Sequence, residues 1–178
     1  MRRRRAYGDP VVVVDPGGVI VVGVDGSPGA AAALDFALAE GAERGCAVHV
    51  VTAWLGSGPV DTSDPADQTQ ARARVEHMQG EVVDRRVARR AEDGAELPEL
   101  QLAVVHDYAG RVLVARAEHA TMVVVGSGSP SSESQQVLGS VAEYCVRHAR
   151  VPVVIVPAPA RLERRAAAHS VELSAPTP

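Results

Sequence analysis

The alternation of strand and helix patterns along this 178-residue chain predicts an α/β fold. We expect a doubly wound, five-stranded parallel sheet sandwiched by helices. Short valine-rich runs without a polar face recur, as in strands that are buried on both faces. Helical patterns separate these runs, as parallel βαβ crossovers require. Aromatic residues make up only 3% of the chain, so valine, alanine and leucine must build the core.

The first βαβ unit has the clearest boundaries. A strand is predicted over residues 19–24 because the run is wholly apolar apart from one glycine. Ser27 as N-cap and Pro28 at the first helical position then predict the start of a helix. Gly45 is expected to end this helix, and residues 48–53 form the second predicted strand.

The middle of the chain continues the alternation. A loop rich in glycine, proline, serine and aspartate is followed by a long arginine-containing helix, predicted over residues 68–93. The third strand is predicted over 100–105 and a short helix over 110–119. His106 and Asp107 follow that strand, where titratable residues suit acid–base chemistry, but we expect them to have a loop role.

The stretch from the fourth strand to the fourth helix predicts an anion site. Four apolar residues, 122–125, stop at Gly126, and a polar loop with five serines follows over 127–136. Ser140 and Glu143 have the spacing of a capping box, so Ser140 is the predicted N-cap of the next helix. A helix N-terminus that faces a glycine-containing loop stabilises phosphate groups.

This stretch resembles the nucleotide-binding loop of the universal stress protein family. The family pattern is a glycine, two residues, a glycine, nine residues, then a glycine with serine or threonine. Its four positions are occupied, with the spacing kept, by Gly126, Ser129, Gly139 and Ser140. Ser129 departs from the pattern because it replaces the second glycine. Asp25 falls on the aspartate of the family's first loop, and the resemblance covers roughly residues 19–156.

The resemblance implies an adenine-nucleotide site, with ATP as the ligand. Asp25 and the backbone near Ala53 would hold the adenosine, and the glycine-containing loop would hold the ribose and phosphates. Ser129 adds a Cβ where phosphate approaches the backbone, and Glu133 adds a negative charge to the loop, so we expect weak ATP binding or none. The predicted cofactor-binding residues are Gly23, Val24, Asp25, Ala53, Gly126, Ser127, Ser129, Gly139, Ser140 and Val141.

Composition excludes several classes of function. All 18 basic residues are arginine, which excludes mechanisms that need a lysine, such as Walker-type phosphate binding or a Schiff base. The net charge of −4 argues against general nucleic-acid binding. No stretch approaches the roughly 20 apolar residues of a membrane span. Cys46 and Cys145 lack metal-ligand spacing, so we predict no metal site and a reducing, cytoplasmic location.

Three function hypotheses remain. The first is a non-catalytic, ATP-binding universal stress protein with a regulatory role in the stress response. The second is a nucleotide-free family member that acts as a dimeric protein-interaction module, which Ser129 and Glu133 favour. The third is an enzyme on a related sheet, but the Ser-Gly-Gly-x-Asp-Ser and His-x-Gly-His signatures of such enzymes are absent. We therefore predict no catalytic residues.

The ends of the chain set the domain boundaries. Residues 1–18 are predicted to be a disordered basic tail, 19–157 the folded domain and 158–178 a second disordered tail. The fifth strand is predicted at the end of the domain. Because this short apolar strand lies at a sheet edge, and because the family resemblance points the same way, a homodimer is expected through Val153, Val154, Ile155 and Val156.

Overall fold

The computed structural model describes residues 4–5, 17–55, 65–128 and 138–158. The strands are β1 (Arg4–Arg5), β2 (Val19–Gly23), β3 (Ala47–Trp54), β4 (Leu100–His106), β5 (Met122–Gly126) and β6 (Val153–Val156). The helices are α1 (Pro28–Arg44), α2 (Pro65–Glu92), α3 (Ala109–Arg116) and α4 (Ser140–His148). The predicted α/β architecture is confirmed.

All strand pairs are parallel, in the order β1-β4-β3-β2-β5-β6. Strands β2 to β6 form the predicted five-stranded sheet. The two-residue strand β1 was not predicted, since Arg4 and Arg5 were assigned to the tail. In the structure Arg4 lies opposite Gln101 and Arg5 opposite Leu102 on β4. Two adjacent charged residues show no apolar alternation from which a strand could be predicted. Their strand conformation depends on pairing with the edge of β4.

The helices lie in two layers because successive residues of a strand face opposite sides. Ile20 and Val22 of β2 face a core shared with α1 and α2. Val19 and Val21 face a second core shared with α3 and α4. The central strands are therefore buried on both faces, as their continuous apolar sequence predicted.

The predicted ends of α1 agree with the structure. Ser27 is the N-cap, and its Oγ accepts a hydrogen bond from the Ala30 backbone N–H at 3.2 Å. Pro28 is the first helical residue, and Gly45 closes the helix in the left-handed region, at φ 68°. Helix α2 begins earlier than predicted, at Pro65, because the missing N–H of proline costs nothing in the first turn of a helix.

The predicted capping box of α4 is wrong. Gly139, and not Ser140, is the N-cap, and its extended backbone (φ −76°, ψ 161°) is held by a 3.0 Å hydrogen bond from its N–H to the Ser127 carbonyl. Ser140 is consequently the first helical residue. The Glu143 carboxylate does not reach back but accepts a hydrogen bond from Arg147 at 2.6 Å. Within the described residues, no helix has the length and apolar character to cross a membrane.

Candidate functional site

A cavity of about 300 Å³ lies at the carboxyl ends of β2, β3 and β5. The sheet order reverses at β2, which has β3 on one side and β5 on the other. Ligand sites of open α/β sheets lie at this reversal point, because helices leaving in opposite directions open a crevice there. Residues of α1, of α3 and of the first turn of α4 line it as well.

Most of the predicted site residues meet at this cavity. Eight of them line it, namely Gly23, Val24, Asp25, Ala53, Gly126, Gly139, Ser140 and Val141. Ser127 lies between two lining residues but is itself 6% exposed and is not part of the lining. Ser129 falls outside the described residues, so its predicted role stays a prediction.

The cavity also contains residues that the sequence analysis did not identify. From the loop and helix after β2 come Ser27 and Ala30, and from α3 come Ala109 and Leu113. The other described lining residues are Val51, Val125, Gly128 and Ala142. The sequence could have indicated Gly128 as a lining residue, because this glycine lies two residues after Gly126 in the same loop. No sequence pattern indicated the two α3 residues, because only the packing of α3 on the sheet brings them to the crevice.

Asp25 is held in place by the turn that it starts. Its Oδ1 accepts a hydrogen bond from the Ser27 backbone N–H at 2.9 Å. The carbonyl of Val24 accepts a second hydrogen bond, from the Thr52 hydroxyl at 2.7 Å. The end of β2 is therefore fixed on both sides, and the exposed carboxylate of Asp25 is positioned at the cavity wall.

Gly126 brings β5 into direct contact with the start of α1. A Cβ at this position would lie 2.6 Å from the Gly29 carbonyl carbon and 2.8 Å from the Ala30 nitrogen. Both are backbone atoms, so no side-chain rotation could relieve the contact. Glycine at 126 is thus required by packing, whether or not phosphate binds there.

Gly128 and Gly139 form the neck of the loop that joins β5 to α4. Gly128 has φ 90°, and a Cβ on it would lie 3.0 Å from the Cα of Gly139. The Ser127 backbone donates from its N–H to the Val156 carbonyl at 2.9 Å and accepts at its carbonyl from Gly139. Ser127 Oγ is buried without a hydrogen-bond partner among the described residues. The neck therefore joins β5, β6 and the N-terminus of α4.

The cavity is poor in charge. Asp25 is the only ionisable residue among the lining residues that the structure describes. Two side chains in the described part of the chain have a raised pKa, and both lie outside the lining. Burial raises the pKa of Asp35 despite the opposing charges of Arg86, Arg89 and Arg90, and burial raises the pKa of the Cys145 thiol. Neither residue is placed to act on a ligand in the cavity.

His106 and Asp107 are likewise engaged elsewhere. The His106 ring packs on Trp54 with a centroid distance of 4.4 Å. Asp107 accepts a hydrogen bond from the Tyr108 backbone N–H at 2.7 Å and lies 3.8 Å from Arg111. Neither side chain is among the described residues that line the cavity. His106 is the last residue of β4 and not part of the loop in which it was expected, and the loop role of Asp107 stays a prediction. Across the described part of the chain, no group of three or more His, Cys, Asp or Glu residues is placed to hold a metal ion.

Comparison with known protein families gives a match over residues 18–157 to the universal stress protein family. This chain belongs to that family.

Curated relatives are found in mycobacteria. Universal stress protein Rv2005c of Mycobacterium tuberculosis is 31% identical over 150 residues, which cover 84% of this chain and 49% of that protein. Universal stress protein Rv2623 of the same species is 32% identical over 142 residues, with coverage of 76% and 44%. This family member therefore spans about half the length of these relatives.

Solved structures of the family share the fold. A universal stress protein from Burkholderia pseudomallei is 27% identical with a TM-score of 0.55, and the alignment covers 79% of this chain and 96% of that one. A universal stress protein in complex with cAMP has a TM-score of 0.60 at 24% identity, with coverage of 79% and 97%. At this level of identity, the likeness to the cAMP-bound protein shows a shared fold only.

Proposed function

We propose that this universal stress protein binds an adenine nucleotide without catalysis and has a regulatory role in the stress response. The cavity at the carboxyl ends of β2, β3 and β5 is the observation that carries the proposal. Its volume of about 300 Å³ is at the lower limit of small-molecule sites. A universal stress protein solved with cAMP shares the fold, which makes adenine nucleotides the first ligands to test.

The lining suggests how such a ligand lies. Apolar residues such as Val51 and Leu113 suit the base, and Asp25 is placed to accept a hydrogen bond from a ribose hydroxyl or an amino group. At the other end, the first turn of α4 offers backbone N–H groups to a phosphate. ATP is the ligand implied by the family resemblance, and we propose that it binds weakly.

The charge of the described lining supports the proposed absence of catalysis. Phosphoryl transfer needs positioned positive charge, from lysine, arginine or a metal held by carboxylates. Among the described lining residues there is no cation and a single carboxylate, Asp25. We therefore expect ATP turnover below about 1 per second, the low end of ordinary enzymes. Faster turnover by the purified protein would contradict this part of the proposal.

Two measurements test nucleotide binding. Mass spectrometry of the small molecules released by denaturation should detect an adenine nucleotide, and calorimetry should measure its affinity. Val141→Trp places an indole at the cavity wall and should weaken binding at least about tenfold, or 1.4 kcal/mol. The matched control is Val146→Trp on the same helix, at a side chain that is 52% exposed and outside the lining. Equal affinities in both variants would place the ligand elsewhere.

A second candidate function is a dimeric protein-interaction module. Strand β6 ends the sheet, and each of its four residues is only partly buried. We propose that the β6 edge pairs with β6 of a second copy, since an unpaired apolar edge favours strand addition. At the other end of the sheet, β4 is already paired with the short strand β1.

The register shows which β6 residues to change. The Val123 N–H donates to the Pro152 carbonyl and the Ser127 N–H to the Val156 carbonyl. The backbone N–H and C=O groups of the even-numbered residues of β6 therefore point to β5. The backbone N–H of Ile155 points to the open edge of the sheet. Ile155→Pro should shift a dimer to monomer in light scattering, whereas Val154→Pro should also destabilise the monomer. A wild-type monomer at micromolar concentration would refute the dimer.

A cytoplasmic location is also proposed, from the state of the cysteines. Cys46 and Cys145 are both free and buried. Free thiols persist in reducing compartments. Localisation of a tagged full-length chain by cell fractionation would test this assignment.

A further inference from the structure

The edge of the sheet at β4 is covered by a strand of only two residues. Strand β4 itself is long and largely apolar, with three nearly fully buried residues, Leu100, Leu102 and Val104. An uncovered edge of this kind tends to pair with another chain. Strand β1 lies along it, with Arg4 opposite Gln101 and Arg5 opposite Leu102. Because β1 is short and consists of two arginines, it presents the kind of edge that resists further strand addition.

The backbone register shows which groups of β1 and β4 meet. The Glu99 carbonyl accepts a hydrogen bond from the Val48 N–H of β3 at 2.8 Å, so its peptide group points to β3. Backbone groups alternate in direction along a strand, and those of Leu100 and Leu102 therefore point to the outer edge. In the observed register, the Arg4 N–H faces the Leu100 carbonyl and the Arg4 carbonyl faces the Leu102 N–H.

The length of the connection allows β1 to come from the same molecule as β4. Residues 6–18 connect Arg5 to Val19, the first residue of β2. This connection crosses three strand spacings, about 14 Å, because β4 and β3 lie between β1 and β2. Parallel strands need a connection of about a dozen residues or more, and this one is long enough.

Charge favours the same placement of β1. Arg4 and Arg5 belong to a run of four arginines, residues 2–5, in a chain whose net charge is −4. The segment that leads into β4 carries four exposed carboxylates, those of Glu92, Asp93, Glu96 and Glu99. Among the described residues, no ion pair involves any of these four. Strand spacings put the backbones of Arg4 and Glu99 roughly 8 Å apart, within the screening length of about 8–10 Å at ordinary salt.

We propose that the β4 edge is the docking surface of the arginine segment at the N-terminus of the same chain, which closes this edge against a second copy. An open β4 edge would accept the β6 edge of another molecule. Such a contact joins two different surfaces, so its repetition builds an open chain of molecules. Closure of β4 confines strand addition to β6, where pairing of two identical edges ends at a dimer.

Paired proline variants of the full-length chain test the docking by amide hydrogen exchange. Arg4→Pro removes the N–H that faces β4, whereas the N–H of the next residue points away, so Arg5→Pro loses the same charge and keeps the pairing. In NMR, the Leu102 N–H should exchange at least about tenfold faster in Arg4→Pro than in the wild type and at the wild-type rate in Arg5→Pro. The Gln101 N–H points to β3 and should exchange equally in all three proteins, which shows that the sheet is intact.

The contribution of charge is tested in the same assay. Glu99→Gln removes a carboxylate beside β1 and should speed the exchange of the Leu102 N–H. The matched control is Glu118→Gln, which makes the same charge change at an exposed residue beyond the far end of α3 and should have no effect. In wild-type protein, 1 M NaCl should also speed this exchange, because the screening length shortens from about 10 Å at 0.1 M salt to about 3 Å. Equal exchange in the two glutamine variants would refute the contribution of charge.

Light scattering over a range of concentrations tests the closure of the edge. Arg4→Pro should form species larger than those of the wild type, and Arg5→Pro should not. If the Leu102 N–H exchanges at one rate in the wild type and in both proline variants, the arginine segment does not dock on β4 and the inference fails. Faster exchange in Arg4→Pro without larger species would overturn the role in assembly.

Discussion

Replacement of Gly126 by alanine should destabilise the protein even without any ligand. The added Cβ would lie 2.6 Å from the Gly29 carbonyl carbon, 2.8 Å from the Ala30 nitrogen and 2.9 Å from the Gly29 oxygen. Ordinary van der Waals contacts of a Cβ begin at 3.4 Å. The start of α1 must therefore move away from β5 by close to an ångström.

The loss in free energy of unfolding can be estimated from the atoms that the added Cβ would contact. Overpacking a well-packed interior costs about 1–3 kcal/mol. Since all three contacted atoms belong to the backbone, we expect the upper part of this range, about 2 kcal/mol or more. For a chain of this size, each kcal/mol lowers Tm by roughly 2–4 °C, so the expected shift is about 4–8 °C. Ala30 also lines the cavity, so ligand affinity should fall as well.

The assay is thermal unfolding of nucleotide-free protein, followed by circular dichroism. Gly94→Ala is the control, because Gly94 has φ 69° and no atom within 4 Å of an added Cβ. In that variant only the left-handed backbone conformation is strained, which costs about 1–2 kcal/mol of stability. A Gly126→Ala protein that unfolds within about 1 °C of the wild type would refute the packing argument and leave phosphate approach as the reason for this glycine.

Three further predictions follow from single side chains. Ser27→Ala removes the N-cap bond to the Ala30 N–H and should lower the free energy of unfolding by about 1 kcal/mol in chemical denaturation, whereas Ser27→Asn should restore most of it. Cys46 and Cys145 are 4% and 0% exposed, and burial raises the pKa of the Cys145 thiol, so a thiol reagent should modify both only after unfolding; rapid labelling of Cys145 in the native protein would show that α4 opens. Burial raises the pKa of Asp35 above its ordinary value of 3.8, so its charge disfavours the folded state above that pH. Asp35→Asn should then be no less stable than the wild type at pH 7, with the difference vanishing below pH 3.8, and a clear loss at pH 7 would mean that the pair with Arg86 outweighs burial.

Local chemistry alone determined most of the architecture. Continuous apolar runs such as residues 122–125 predicted buried strands, and Ser27, Pro28 and Gly45 predicted both ends of α1. These signals work because strand burial and helix capping depend on residues that are adjacent in the chain. The position of the cavity followed too, since the carboxyl ends of parallel strands meet at one edge.

The tertiary structure decided everything that depends on distant residues. Ser140 was expected to cap α4, but the hydrogen bond from the Gly139 N–H to the Ser127 carbonyl makes Gly139 the cap. The loop pattern marked Gly126 as a phosphate residue, whereas its contact with Gly29 shows a packing requirement. Leu113 enters the cavity through the docking of α3. Each depends on how closely two separate segments approach, a distance that side-chain packing sets and no local pattern encodes.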